Sequence, residues 1–193
     1  MARSKIIDDK SQIIDLAQRL IDEDGIETVS MRRLSKEMGV SSMTLYNYVH
    51  NADDVLREVL VRAFGELNEQ ILSTMNGLVR SGIPGHIAYA KAYATALYEL
   101  SLKRPALCLY LINQGRTTFF NDAELRPFYD PFGRLVLGLP EDEKQEMTRV
   151  FAMYQYVVHS MLLEMNTGMR AISRGEYMET VELFLTKMFA PRS

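Results

Sequence analysis

Residues 27–56 read ETVSMRRLSKEMGVSSMTLYNYVHNADDVL, and this stretch governs how the chain is organised. Ser30 stands as the N-cap of a short helix whose buried face holds Leu34 and Met38, four residues apart, and which Gly39 closes. After the turn Gly39-Val40-Ser41, Ser41 or Ser42 can cap a third short helix running to about Val49, with Leu45 and Val49 facing inward. Asn51 then caps a fourth helix, which places Asp53 and Asp54 at the positive end of its dipole. Helix, tight turn at a glycine, helix is the arrangement of DNA-binding helix-turn-helix units, and equally of many hairpins inside plain helical cores. Side-chain chemistry moves the balance toward DNA. The third helix offers Ser42, Thr44, Tyr46, Asn47 and Tyr48, which donate to phosphates or base edges, and it carries no acid; the second helix adds Arg32, Arg33 and Lys36.

Upstream, Ile13, Ile14, Ala17, Leu20 and Ile21 keep the spacing of one buried helical stripe, ended by Gly25 in a left-handed C′ position. Downstream, the fourth helix extends through Val55, Leu56, Val59, Leu60 and Ala63 toward Asn76, so a rod rather than a loose linker joins the N-terminal unit to the rest. The pattern then predicts a helix over about 84–101, an interruption at Lys103-Arg104-Pro105, a short helix to about Asn113 and a looser region over 115–122. A helix broken by Pro127 and Pro131 is expected over about 123–138. Two more helices follow: about 141–167, opened by Pro140 and three acids and stopped by Gly168, and about 176–189. No stretch alternates long enough to compete as a strand, so the fold class is all-α, with a division near residue 60.

Composition excludes several classes. At 193 residues, 47% hydrophobic and 24% charged, the chain is an ordinary globular sequence with enough length for a real core. The net charge is −3, and residues 1–60 carry 8 Lys or Arg against 11 Asp or Glu, so any nucleic-acid role must rest on local geometry and not on bulk charge. A single cysteine, Cys108, rules out an intramolecular disulfide and a structural zinc site; neither a metal nor another cofactor is called for. No apolar run approaches a membrane span of roughly 18–20 residues, and MARSKIIDDKSQ lacks the apolar centre of a signal peptide, so a cytoplasmic protein with no membrane partner is expected. There is no Ser-His-Asp set, phosphate-binding glycine loop or His-Glu-x-x-His spacing, and Cys108 lies amid Leu107, Leu109 and Tyr110 without an activating base. The chain does not read as an enzyme.

The stretch 27–56, preceded by a helix ending at Gly25, closely resembles the DNA-binding domain of TetR-family transcriptional regulators, with Leu34, Gly39, Val40, Ser41, Thr44, Leu45 and Tyr46 in register. The resemblance covers about residues 10–60 and implies a three-helix helix-turn-helix domain over 1–60 followed by an effector-binding and dimerisation domain over 61–193. Carried over by position, it implies that Arg32 reads a guanine, that Ser42, Met43 and Thr44 face bases or thymine methyls, and that Tyr46 bonds a backbone phosphate. Ser30, Asn47, Tyr48 and His50 are further contact candidates. One departure stands out: the family usually has a lysine near the start of the fourth helix, where this chain has Ala52, and a lost phosphate contact predicts weaker, less salt-sensitive binding unless Arg3, Lys5 or His50 compensates.

Beyond residue 60 the chain is rich in methionine and aromatics, a lining that suits an apolar or aromatic small molecule and equally a well-packed core. Residues 93–115 and 150–168 resemble one C-terminal subclass of the family, marked by an aromatic, three residues, His and Gly; here Ser160 replaces the glycine after His159. The effector-binding candidates are Tyr89, Tyr93, Tyr110, Asn113, Phe119, Tyr154 and His159. The last two helices are apolar on more than one side, as for a homodimer that pairs them in a four-helix bundle and presents two recognition helices to double-stranded operator DNA. The expected function is thus a repressor released from a palindromic operator by a small effector. The alternative is a helical ligand-binding or interaction module with little operator affinity.

Overall fold

Three polar side chains start three helices in the N-terminal unit. In the computed structural model, which describes residues 7–119 and 131–188, Ser30 Oγ accepts the Arg33 amide at 3.2 Å, Ser41 Oγ that of Thr44 at 3.1 Å, and Asn51 Oδ1 that of Asp54 at 2.8 Å. Each satisfies an amide that the first helical turn leaves without a partner. They open α2 (Met31–Met38), α3 (Ser42–Leu45) and α4 (Ala52–Arg80), behind α1 (Ser11–Asp24) and a 3-10 turn at Ile26–Thr28. Gly39 ends α2 in the left-handed region at φ +69°. Gly25 also has positive φ, +86°, but its ψ of 166° is extended, so α1 ends without the left-handed cap that its sequence predicts. Replacing Ser30 with alanine is expected to cost about 1 kcal/mol of stability, read as a lower midpoint in urea unfolding.

The third helix is shorter than its sequence pattern implies. Regular α-structure stops at Leu45; the Asn47 amide then bonds Thr44 O at 3.3 Å and the Tyr48 amide Leu45 O at 2.9 Å, a three-residue spacing that tightens the chain into turns up to Val49. Tyr46-Asn47-Tyr48-Val49 is a run of poor helix formers, and the Tyr48 hydroxyl donates to Ile7 O at 2.8 Å, which holds the turn against the chain entering α1. Leu45 and Val49 are still buried, as predicted.

Among the described residues the chain continues through α5 (Gly85–Lys103), α6 (Pro105–Phe119), α7 (Pro131–Leu135), α8 (Glu141–Asn166) and α9 (Arg174–Met188). The expectation of a loose region from Gly115 is corrected for 115–119, where α6 continues; one interior glycine costs only about 1 kcal/mol against alanine, too little to stop a helix anchored by buried early turns. The first half of the predicted Pro-broken helix, 123–130 with Pro127, lies outside the described residues; in the second half Pro131–Leu135 are helical. No helix of the described residues is long and apolar enough to cross a membrane.

Buried side chains fall into two clusters. α1, α2 and α3 with Val55, Val59, Leu60, Ala63 and Phe64 of α4 make the first; Leu67 and Ile71 of the same helix belong to the second. α6 is shared in the same manner: Leu107 and Leu111 join the N-terminal cluster while their neighbours Cys108 and Ile112 join the other. A one-residue step on a helix turns about 100°, so two i, i+4 pairs offset by one residue put adjacent stripes of α6 into different cores. In the C-terminal cluster α5 is buried through Ala88, Ala90, Ala92, Ala94 and Ala96. These small side chains let α8 and α9 come close enough for Tyr154 Oη to donate to Ala90 O at 2.7 Å and Tyr177 Oη to Ala94 O at 3.0 Å. Burial raises both phenols well above their ordinary range and pushes the Cys108 thiol up to about 12.

Candidate nucleic-acid interface

Capped at Ser41 and closed by the turns to Val49, α3 keeps Leu45 in the core and turns the rest of its short surface outward. Met43 is 76% and Tyr46 50% exposed, large values for side chains with this much apolar area, and Ser42 and Asn47 are exposed beside them; Thr44 is half-buried. A hydroxyl relay braces this surface: Ser35 Oγ donates to Arg32 O at 3.0 Å and lies 3.1 Å from Ser42 Oγ, and Thr44 Oγ1 lies 2.9 Å from Ser41 Oγ. A rigid backing of this kind limits the entropy lost when the face is docked on another surface.

Arg32 and Lys36 are exposed, one turn apart on α2, and enter no ion pair among the described residues. Arg33, grouped with them on sequence grounds, is held by Asp24 at 2.7 Å and Glu37 at 3.5 Å and is not a free cation. The acidic balance of the unit is similarly tempered by pairing. Lys10 meets Glu58 at 2.8 Å, Arg62 pairs with Asp15, and Arg104 meets Asp22 at 2.9 Å. Exposed pairs add little stability each, yet they cancel charge that would otherwise repel a polyanion. Two of the cations come from beyond residue 60, so a charge count of 1–60 misses them.

The remaining contact candidates differ in availability. Ser30 is exposed, its oxygen engaged as a cap; His50 is exposed, with its backbone amide donating to the Asp54 carboxylate at 3.2 Å. Tyr48 is half-buried and its hydroxyl is engaged by Ile7 O, a structural tie that sequence pattern does not reveal. Ala52 is half-buried as the first residue of α4, followed by the exposed carboxylate of Asp53.

Of the effector candidates, the fold brings Tyr89, Tyr93, Tyr154 and His159 together. Tyr93 Oη lies 2.6 Å from His159 Nε2, and Gln155 Nε2 donates to Tyr93 Oη at 3.4 Å, which adds a residue that is not among the effector candidates although it lies one turn before His159. Phe132 and Phe151 stack with centroids 3.9 Å apart, and Phe151 lies 5.5 Å from Tyr89 and 5.7 Å from Tyr93. Tyr154 is wholly buried and committed to Ala90. Tyr110 is not part of this group: it packs on the N-terminal cluster, where burial and the nearby Asp53 carboxylate raise its phenol. Asn113 is exposed, and the Phe119 side chain lies outside the described residues. On the outer side of α8 and α9, Met153, Tyr156, Leu163 and Leu183 are exposed, next to a groove of about 330 Å³ lined by Tyr156, Ser160, Met161 and Thr180.

With this geometry in view, residues 13–59 match the family model of bacterial regulatory proteins of the tetR family. The helix-turn-helix unit is thus similar to the N-terminal DNA-binding region of tetR-family regulators. An HTH-type transcriptional regulator of Staphylococcus aureus is 35% identical over 60 residues, 31% of this chain and 32% of that protein. The uncharacterized HTH-type transcriptional regulator YobS of Bacillus subtilis is 26% identical over 116 residues, 58% of each chain. The matched stretches therefore span about a third to just over half of these relatives' lengths. Likeness of fold extends further: the fatty acid degradation regulator FadR from Bacillus halodurans superposes with a TM-score of 0.60 at 16% identity, covering 97% of this chain and 98% of that one. A TetR/AcrR-family regulator from Thermobifida fusca gives 0.56 at 14% identity, covering 95% and 98%. The likeness in fold to these structures, an N-terminal helix-turn-helix unit followed by a helical body, thus extends over nearly the whole chain.

Proposed function

We propose that this protein is a transcriptional regulator of the TetR family that binds double-stranded operator DNA and acts as a repressor in the cytoplasm. The observation that carries the reading is the acid-free outer face of α3, flanked by Arg32 and Lys36, which no ion pair among the described residues engages. A helix presented in this way fits the major groove, with Arg32 aimed at a guanine, Met43 and Thr44 at base edges or methyls, and Tyr46, Ser42 and Asn47 at phosphates and bases. Residues 1–60 form the DNA-binding part and 61–193 the effector-binding and dimerisation part in this reading. The exposed apolar residues of α8 and α9 support a homodimer through those helices, and a two-fold dimer calls for a palindromic operator with half-sites about 34–36 Å apart. The effector is a small apolar or aromatic molecule, for which the aromatic wall around Phe151 and the polar group Tyr93, Gln155 and His159 offer matching chemistry. Release follows if the effector prefers the state with badly spaced recognition helices; a coupling of about 1–3 kcal/mol changes operator affinity by about 5- to 150-fold. α4 and α6, each contributing to both cores, are the elements that carry such a change.

A gel shift with the DNA upstream of the protein's own gene, together with sedimentation equilibrium, tests the proposal. A discrete complex with two chains per duplex is expected; a monomer that ignores every duplex would leave the helical ligand-binding or interaction module as the reading. Ala52, with Asp53 beside it, is the observation that favours that second reading. It also yields a direct measurement. Ala52→Lys is expected to tighten DNA binding and to steepen the slope of log affinity against log salt by about 0.9 for each additional phosphate that the lysine neutralises.

A further inference from the structure

Arg104 is the residue between α5 and α6, and its backbone is fixed from both sides: its amide donates to Leu100 O at 2.7 Å and its carbonyl accepts the Cys108 amide at 2.9 Å. The side chain points to α1. Nε lies 2.9 Å from both carboxylate oxygens of Asp22, and the Gln18 amide, one turn earlier on α1, faces the other two nitrogens; rotated so that Oε1 points to the guanidinium, it accepts from Nη2 at 2.9 Å and also from Nη1. In that orientation of the amide, all three guanidinium nitrogens are taken by one face of one helix. The side chain is 19% exposed and Asp22 34%, so water screens this pair less than a surface pair. The same junction sends Leu107 and Leu111 into the N-terminal core. Apolar packing of that kind holds α1 near α6 but is non-directional, whereas a planar guanidinium clamped by a carboxylate and an amide fixes an angle.

We infer that Arg104 is a positioning residue: through Asp22 and Gln18 it sets the orientation of the helix-turn-helix unit on the C-terminal body, and with it the separation of the two recognition helices that a two-fold operator complex requires. This rests on the operator-binding dimer proposed above. None of the three residues is on the α3 surface, so their role is in spacing and not in contact.

The test uses the full chain, the duplex that the wild type recovers from a random pool, and the same duplex with one base pair inserted or removed at its centre. The wild type is expected to prefer the recovered spacing. Arg104→Ala and the isosteric Asp22→Asn are expected to lower affinity for the recovered duplex by at least about 5-fold, and to bring the three spacings close to parity. Affinity for a duplex of unrelated sequence, which reads the phosphate contacts alone, should not change. The exchange of Asp22→Arg with Arg104→Asp should restore part of the preference. If Arg104→Ala fails to fold, Asp22→Asn carries the same comparison. Variants that keep the wild-type spacing preference would overturn the inference and leave the operator-binding reading intact. A wild type that binds no duplex, or binds all spacings equally, overturns both together.

Discussion

Arg32→Ala is expected to weaken binding to the protein's selected operator by about 5- to 150-fold, since a bidentate contact to a guanine contributes about 1–3 kcal/mol of base discrimination. Binding to a duplex of unrelated sequence should fall far less, because only the general attraction of one cation to the phosphates is lost there. Arg32→Lys should not restore the loss: an ammonium keeps the charge and cannot make two parallel hydrogen bonds to one base edge. Tyr46→Phe provides the contrast. Removing a phosphate-bonding hydroxyl is expected to lower affinity for both duplexes by a similar factor. Arg32 and Tyr46 are exposed, and no ion pair among the described residues involves Arg32, so stability should stay within about 0.5 kcal/mol of wild type. Fluorescence anisotropy on the two duplexes, with urea unfolding of each variant, separates these effects. Unchanged operator affinity in Arg32→Ala would remove α2 from the proposed recognition surface.

Tyr154→Ala is expected to remove about 3–5 kcal/mol of stability, the range for deleting a large aromatic from a closed core. Tyr154 is completely buried, with Phe151 and Phe184 rings 5.9 and 5.5 Å away and its hydroxyl donating to Ala90 O. Tyr154→Phe separates the two contributions. It keeps the ring and loses one hydrogen bond, a net cost of about 1 kcal/mol, because the Ala90 carbonyl lies inside α5 and retains its helical partner. Since small proteins hold only about 5–15 kcal/mol in total, the alanine variant should lose much of its C-terminal packing, whereas the N-terminal cluster contains no part of Tyr154. Urea unfolding followed by circular dichroism is expected to rank wild type above Tyr154→Phe and far above Tyr154→Ala. A Tyr154→Ala variant of nearly wild-type stability would mean that the site is not closed and that Tyr154 lines a cavity.

The helix-turn-helix unit is readable along the chain because its signals are local. Ser30, Ser41 and Asn51 cap amides three residues ahead, Gly39 takes the left-handed conformation where α2 stops, and Leu34, Leu45 and Val49 fall on buried faces at helical spacing. Interactions that close over three or four residues need no knowledge of the rest of the molecule, and they suffice for both the fold class and the outward face of α3. The long-range decisions are not readable in this way. Tyr48 has the chemistry of a DNA contact and ties to Ile7, 41 residues away; Arg33 has that of a free cation and is paired with Asp24; Tyr110 has that of an effector contact and packs on the N-terminal core. The sharing of α6 between two cores, and the clamp of Arg104 on Asp22 across 82 residues, likewise depend on which helix packs against which. Periodicity tells which face of a helix is buried, but the partner that buries it, and the charge that meets it there, are set by loop closure and packing among elements distant in sequence.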